Sequence, residues 1–98
     1  MTPYYNTQFF IDKFEAIPDE KWMTKFYSDG EGRKCALGHC GIASGWLQGS
    51  EADSLIKLLA SLGTNPADVN DGHDARYKQE TPKQRIIAAL RDVVKNGR

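Results

Sequence analysis

Apolar side chains recur at helical spacing in the first part of the chain. The stripe consists of Phe10, Ile11, Phe14 and Ile17, and it predicts a helix from Asn6 or Thr7 to about Ala16. An earlier start at Thr2-Pro3 also fits the sequence, because threonine caps helices and proline is favoured at the first helical position. Ile17-Pro18 should end the helix, since proline disfavours helical backbone in the residue before it.

A second amphipathic pattern begins at Ser50. Serine is a good helix cap, and the acidic residues Glu51 and Asp53 suit the positive end of a helix. The predicted buried stripe consists of Ala52, Leu55, Ile56, Leu59 and Leu62. Gly63 should close this helix.

The last helix has the clearest signals in the chain. Thr81-Pro82 is a cap followed by proline at the first helical position, and the helix should end near Asn96-Gly97. Its predicted buried stripe consists of Ile86, Ile87, Leu90, Val93 and Val94.

Shorter elements are expected between these helices. Residues 65–69 predict one turn of helix, Asn70-Asp71-Gly72 is a turn signal, and 73–80 reads as a polar loop. We expect the Asn70 or Asp71 side chain to bond to nearby backbone amides, as such residues do in turns.

The segment between Trp22 and Leu37 permits two interpretations. Residues 23–27 and 33–37 flank Asp29-Gly30-Glu31-Gly32, which predicts a short hairpin lying on the helices. Alternatively, the chain turns helical at about Cys35. The residues that would share one helical face are then Leu37, Cys40, Ala43 or Ser44, and Leu47. Gly38, Gly41 and Gly45 would weaken that helix.

Length and composition are those of one small globular domain. The 98 residues are 40% hydrophobic and 27% charged, which excludes a disordered or collagen-like chain. We therefore predict a mainly α (α+β) fold over 1–98, with about four helices and one short β-hairpin.

Several compositional features bear on location and partners. The formal net charge is +0, so no overall field attracts nucleic acid or an anionic membrane. We find neither a signal peptide nor a long apolar stretch, and two cysteines are too few for a secreted disulfide framework. The expected location is the cytoplasm, with no membrane contact.

The densest group of reactive side chains surrounds two cysteines. Cys35, His39, Cys40 and His73 are ligand types that zinc prefers, but their spacing lacks the two pairs typical of a zinc site. A cysteine nucleophile would need one of the imidazoles nearby, with Asp71 or Asp74 as an orienting group. We expect instead that both thiols are buried and structural, with no metal or cofactor.

A cationic C-terminal part and several aromatic residues suggest a binding surface. Residues 75–98 contain seven basic and two acidic side chains. Arg85, Arg91 and Lys95 lie off the apolar stripe, so we predict an exposed basic face there. Trp22 and Tyr77 are the aromatic candidates for a contact patch, together with Tyr4, Tyr5, Tyr27 and Trp46.

The order of several short motifs resembles a group of small uncharacterised proteins of bacteria and their phages. The similar segments are residues 10–18, Trp22, 35–41, 69–72 and 81–86. This resemblance covers most of the chain and implies a fold, with a buried helix starting at Cys35, but it supplies no catalytic residues.

Together these features favour a non-enzymatic binding or accessory protein that acts through protein–protein contacts. A small hydrolase or metal-dependent enzyme built on Cys35, Cys40, His39, His73 and Asp71 is the first alternative. A nucleic-acid accessory protein using the basic C-terminal face is the second, although we do not expect nucleic acid as the main partner. The sequence leaves the oligomeric state open.

Overall fold

The chain is mainly helical, as the apolar patterns predict. Its structure, a computed structural model, describes residues 5–26, 28–41 and 50–97. The helices within these ranges are α1 (Thr7–Glu15), α2 (Ala36–His39), α3 (Ser50–Ala60), α4 (Pro66–Asn70) and α5 (Pro82–Lys95), with a 3-10 turn at Asp19–Lys21. None of these helices is long and apolar enough to cross a membrane.

Helix α1 begins at Thr7, the later of the two predicted starts. Asn6 has extended backbone, and its side chain accepts a hydrogen bond from the Phe9 amide at 2.8 Å. A continuous helix from Thr2-Pro3 is therefore wrong, because the extended Asn6 would interrupt it.

Two helices end in the same glycine-dependent turn. After α3, the amides of Gly63 and Thr64 bond to the carbonyls of Ala60 and Leu59, and Gly63 has a φ of +77°. After α4, Gly72 has a φ of +78°, and its amide and that of His73 bond to Val69 and Asp68 in the same way. A glycine in left-handed conformation suits this motif because it carries no Cβ.

The predicted hairpin is not supported. Within 21–26 and 28–37 the pairing is limited to two isolated bridges, one parallel between Trp22 and Lys34 and one antiparallel between Ser28 and Lys34. The alternative start of a helix at Cys35 is confirmed, since Cys35 caps α2. The predicted continuous helix through Leu47 is wrong, because α2 ends at His39 and Gly41 has a φ of +95°; residues 42–49 lie outside the described residues.

Helix α5 lies at the centre of the packing and contacts the other four described helices. The side chains of Leu90 on α5 and of Leu55 and Leu59 on α3 are completely buried. All five helices contribute to one buried apolar cluster. The prediction for Val94 is wrong, because its side chain is 48% exposed.

A buried asparagine joins three separate parts of this fold. Asn70 at the end of α4 is 1% exposed, and its Oδ1 accepts a hydrogen bond from the Ala36 amide at 3.0 Å. Its Nδ2 donates to the Met23 carbonyl and to Asp71 Oδ1, each at 2.9 Å. The expected amide bond therefore exists, but it reaches an amide 34 residues away in sequence rather than a nearby one.

A buried arginine on α5 also bonds to the turn at the end of α4. The Arg85 guanidinium donates to the carbonyls of Val69, Asn70 and Gln79 at distances from 2.7 to 3.3 Å. With 9% of its surface exposed, Arg85 does not belong to the predicted basic face. Its partners include the last carbonyls of α4, where the helix dipole favours a cation.

Replacing Asn70 by alanine should destabilise the whole domain. In the variant, the Ala36 amide and the Met23 carbonyl lose their hydrogen bonds to the Asn70 side chain. A buried polar group left without a partner lowers the free energy of unfolding by about 1–3 kcal/mol. Urea unfolding measures the effect. Asn96→Ala is the control, since Asn96 is exposed and surface changes usually stay within about 0.5 kcal/mol. Equal losses in the two variants would contradict the role given to Asn70.

Candidate functional site

A small cavity opens where the segment after Trp22 meets α2 and α4. It has a volume of about 170 Å³ and is lined by Lys25, Phe26, Cys35, Leu37, Ala67 and Asp71. The volume is close to the ~150 Å³ at which an apolar protein cavity holds a benzene molecule. It is large enough to receive one aliphatic or aromatic group.

The rim of this cavity is held in an unusual backbone conformation. Lys25 has a φ of 75°, a region that residues other than glycine rarely adopt. Its amide donates to Asp71 Oδ1 at 3.0 Å, and Asn70 fixes the same carboxylate. The conformation at Lys25 therefore depends on the buried turn at the end of α4.

Phe26 follows directly and points an aromatic surface to solvent. Its side chain is 66% exposed, and Phe26 and Val94 are the exposed large hydrophobic residues of the described ranges. Phe26 was not among the predicted contact residues, because the sequence pattern placed it in a strand. A phenylalanine within a charged and polar segment was the signal that could have found it.

Cys35 lies in the wall of the cavity and caps α2. Its sulfur accepts a hydrogen bond from the Gly38 amide at 3.5 Å. Burial raises the pKa of the Cys35 thiol, the hydrogen bonds from the Gly38 and Leu37 amides oppose this in part, and the Asp71 carboxylate adds a smaller increase. The thiol is thus protonated at neutral pH.

Cys40 is buried near an ion pair between α1 and α3. Lys13 Nζ lies 2.6 Å from Glu51 Oε1. Burial, together with the Glu51 carboxylate, raises the pKa of the Cys40 thiol to about 12. Both cysteines are free and buried, as predicted, and burial raises both pKa values although Cys35 caps a helix N-terminus, so neither thiol is activated as a nucleophile.

The two histidines do not converge on the cysteines. The His39 ring packs against Trp22, with ring centroids 4.7 Å apart, and its Nε2 donates to the Lys21 carbonyl at 3.0 Å. His73 is largely exposed, and its Nδ1 lies 4.0 Å from Asp68 Oδ1. Across the part of the chain that the structure describes, no group of three His, Cys, Asp or Glu side chains is placed to hold a metal ion.

Two of the predicted aromatic contact residues are buried. Trp22 is 5% exposed, with its indole N–H bonded to the Ile17 carbonyl. Tyr77 is 3% exposed, and its hydroxyl donates to Asp92 Oδ2 at 2.8 Å. Burial and the Asp92 carboxylate raise the pKa of Tyr77 to about 12. Neither ring offers a binding surface, and Tyr4, Tyr27 and Trp46 lie outside the described residues.

The basic residues of the C-terminal part are mostly engaged within the chain. Arg76 bonds to Asp74 and to the Leu62 carbonyl. Lys78 bonds to the Gly72 carbonyl, and Lys83 to that of Glu15. Among the predicted basic residues of α5, Arg91 and Lys95 are exposed, and Arg91 pairs with Glu15 at 2.6 Å.

No family model matches the chain, and neither a curated protein nor a solved structure shows significant similarity to it. The functional proposal therefore rests on the contacts within this chain.

The two thiols should react at different rates in the folded protein. Cys35 lines an open cavity, whereas the pKa of Cys40 leaves only about one thiol in 10⁴ ionised at pH 8. We expect the Cys40→Ser variant, whose remaining thiol is Cys35, to react slowly with a thiol reagent. The Cys35→Ser variant, whose remaining thiol is Cys40, should react more slowly still. Both rates should rise on denaturation. Rapid labelling of native Cys40, lost in His73→Ala, would contradict this account.

His39 should make the folded state less stable in mild acid. Burial is the main cause that lowers the pKa of His39, and the charges of Lys34 and Lys13 add to it. The unfolded chain therefore binds the proton more tightly, so the contribution of neutral His39 is complete above about pH 6.5 and declines as the pH falls towards the lower native pKa.

Urea unfolding at about pH 7.5 and about pH 5.5 tests this dependence, because the window brackets the unperturbed histidine pKa. The His39→Gln variant should lose less stability between the two conditions than the natural protein. The exposed His73 provides the matched control, His73→Gln. If His39→Gln kept the full pH dependence, another group would be responsible.

Proposed function

We propose that this protein is a non-enzymatic binding protein that engages a protein partner through Phe26 and the cavity beside it. The observation that carries the proposal is the 66% exposure of Phe26 on the rim of the cavity. Aromatic side chains are enriched in protein interfaces, and a rim of this kind would receive an apolar side chain of the partner.

The fixed backbone at Lys25 supports the same proposal. Left-handed conformation costs a non-glycine residue roughly 1–2 kcal/mol, and here the bond to Asp71 compensates for it. Such local strain is concentrated at functional positions. Because the rim is ordered before a partner arrives, little conformational entropy would be lost on binding.

The chemistry of the cavity favours binding over catalysis. The Cys35 thiol in its wall has a raised pKa, and neither histidine hydrogen-bonds to a cysteine within the described ranges. An accessory or host-modulating role in the cytoplasm belongs to the same proposal.

Site-specific photo-crosslinking tests the surface even while the partner is unidentified. A photoreactive phenylalanine analogue at position 26 should capture a distinct protein in cells. The same analogue at position 94, the other exposed apolar site, should not capture that protein. Capture of the same protein at both positions, or no capture at position 26, would contradict a specific interface at Phe26.

Phe26→Ala should then weaken binding of the captured partner without unfolding the domain. We expect the Kd to rise about 30-fold or more, which is the loss of about 2 kcal/mol typical of an interface hot spot. The melting temperature should change little, because the ring is mostly exposed. Gln84→Ala is the control, since Gln84 is exposed and does not line the cavity, and it should leave the Kd unchanged. An unchanged Kd for Phe26→Ala would refute the proposal.

A further inference from the structure

A second unpartnered surface lies between the first and last helices. The groove between α1 and α5 has a volume of about 300 Å³ and is lined by Gln8, Ile11, Glu15, Arg91 and Val94. Val94 is 48% exposed although it belongs to an otherwise apolar helical stripe. An exposed apolar side chain in the lining of a groove is a feature of interaction surfaces.

The charges beside this groove are divided between the two helices. On α1 the exposed charges are Asp12 and Glu15, because Lys13 is turned towards Glu51. On α5 they are Arg91 and Lys95, while the acidic Asp92 is occupied by the Tyr77 hydroxyl. One edge of the groove is therefore acidic and the other basic.

This division makes the surface complementary to itself. Consider a two-fold axis that lies in the plane of contact and runs along the groove. This axis places the second copy face to face with the first, with the positions of its α1 and α5 edges exchanged. The acidic α1 of one copy then lies over the basic α5 of the other, and Val94 on α5 faces α1 of the other copy. A strongly acidic or basic partner would meet repulsion from one edge.

We propose that the α1/α5 groove is a self-association surface that joins two copies of this chain around such an axis. The Glu15–Arg91 pair supplies adaptable charges for it, since these side chains remain 46% and 65% exposed in the single chain. This inference is independent of the proposed partner site at Phe26, because it uses different helices and different residues.

Sedimentation equilibrium of the purified protein tests the proposal directly. Across a concentration series from about 1 µM to about 1 mM, a range that reports weak to moderate affinities, the mass should rise from the 11.0 kDa of the chain towards twice that value. A mass that stays monomeric at the highest concentration overturns the proposal.

A charge-exchange series locates the interface. Asp12→Lys and Lys95→Glu should each raise the dimer Kd about tenfold or more, because like charges then face each other across the contact. The double variant exchanges both signs and should recover most of the affinity. Val94→Asp should also weaken the dimer strongly.

Controls separate this surface from any other form of association. Lys57→Glu makes the same kind of change at an exposed position on α3 and should leave the Kd unchanged. Circular dichroism checks that each variant is folded. An unchanged dimer Kd in Val94→Asp and in both single charge reversals overturns the proposal. A double variant whose dimer Kd is no lower than that of the single variants overturns it as well.

Discussion

The rest of the structure depends on the burial of a positive charge at the end of α4. An arginine that leaves water must find hydrogen-bond acceptors within the protein for the nitrogens of its guanidinium, or the fold loses several kcal/mol. Arg85 meets this requirement with the backbone carbonyls of Val69, Asn70 and Gln79. Because carbonyls are fixed to the main chain, their directions also fix the turn between α4 and α5. The end of α4 and the first turn of α5 are thereby held in one relative position.

The position of the candidate site follows from that turn. With α4 fixed, the Asn70 side chain can reach both the Ala36 amide and the Met23 carbonyl, and Asp71 can hold the Lys25 amide. Residues 21–26 and 28–34 form no strand and have only two isolated bridges, so side-chain bonds replace a ladder in defining their path. The exposure of Phe26 is therefore a consequence of buried polar contacts rather than of local sequence preference.

The sequence predicted the parts of the fold that are encoded by neighbouring residues. Thr81 and Asn65 cap their helices through side chains three residues from the amide they bind, and such signals are readable from spacing alone. The predicted exposure of Arg85 was wrong. Helical periodicity shows on which face of a helix a charged residue lies, but it does not show which backbone carbonyls of other segments bond to it. The predicted hairpin was wrong because strand pairing depends on contacts with residues distant in sequence. Here the Asn70 side chain donates a hydrogen bond to the Met23 carbonyl. Trp22 and Tyr77 were misassigned as exposed since each buries its ring and satisfies its one polar group.

The same distinction explains why the two proposed surfaces differ in character from the core. A domain of 98 residues has a small hydrophobic core. A large hydrophobic side chain that stays exposed adds little to the stability of this core, and it promotes aggregation. Phe26 and Val94 carry that disadvantage, and both remain largely exposed. Phe26 sits on a strained rim that a buried turn maintains, and Val94 sits between oppositely charged helix edges. In both places the surroundings are arranged around an apolar group that the fold itself does not need, which is the arrangement expected where a second molecule completes the burial.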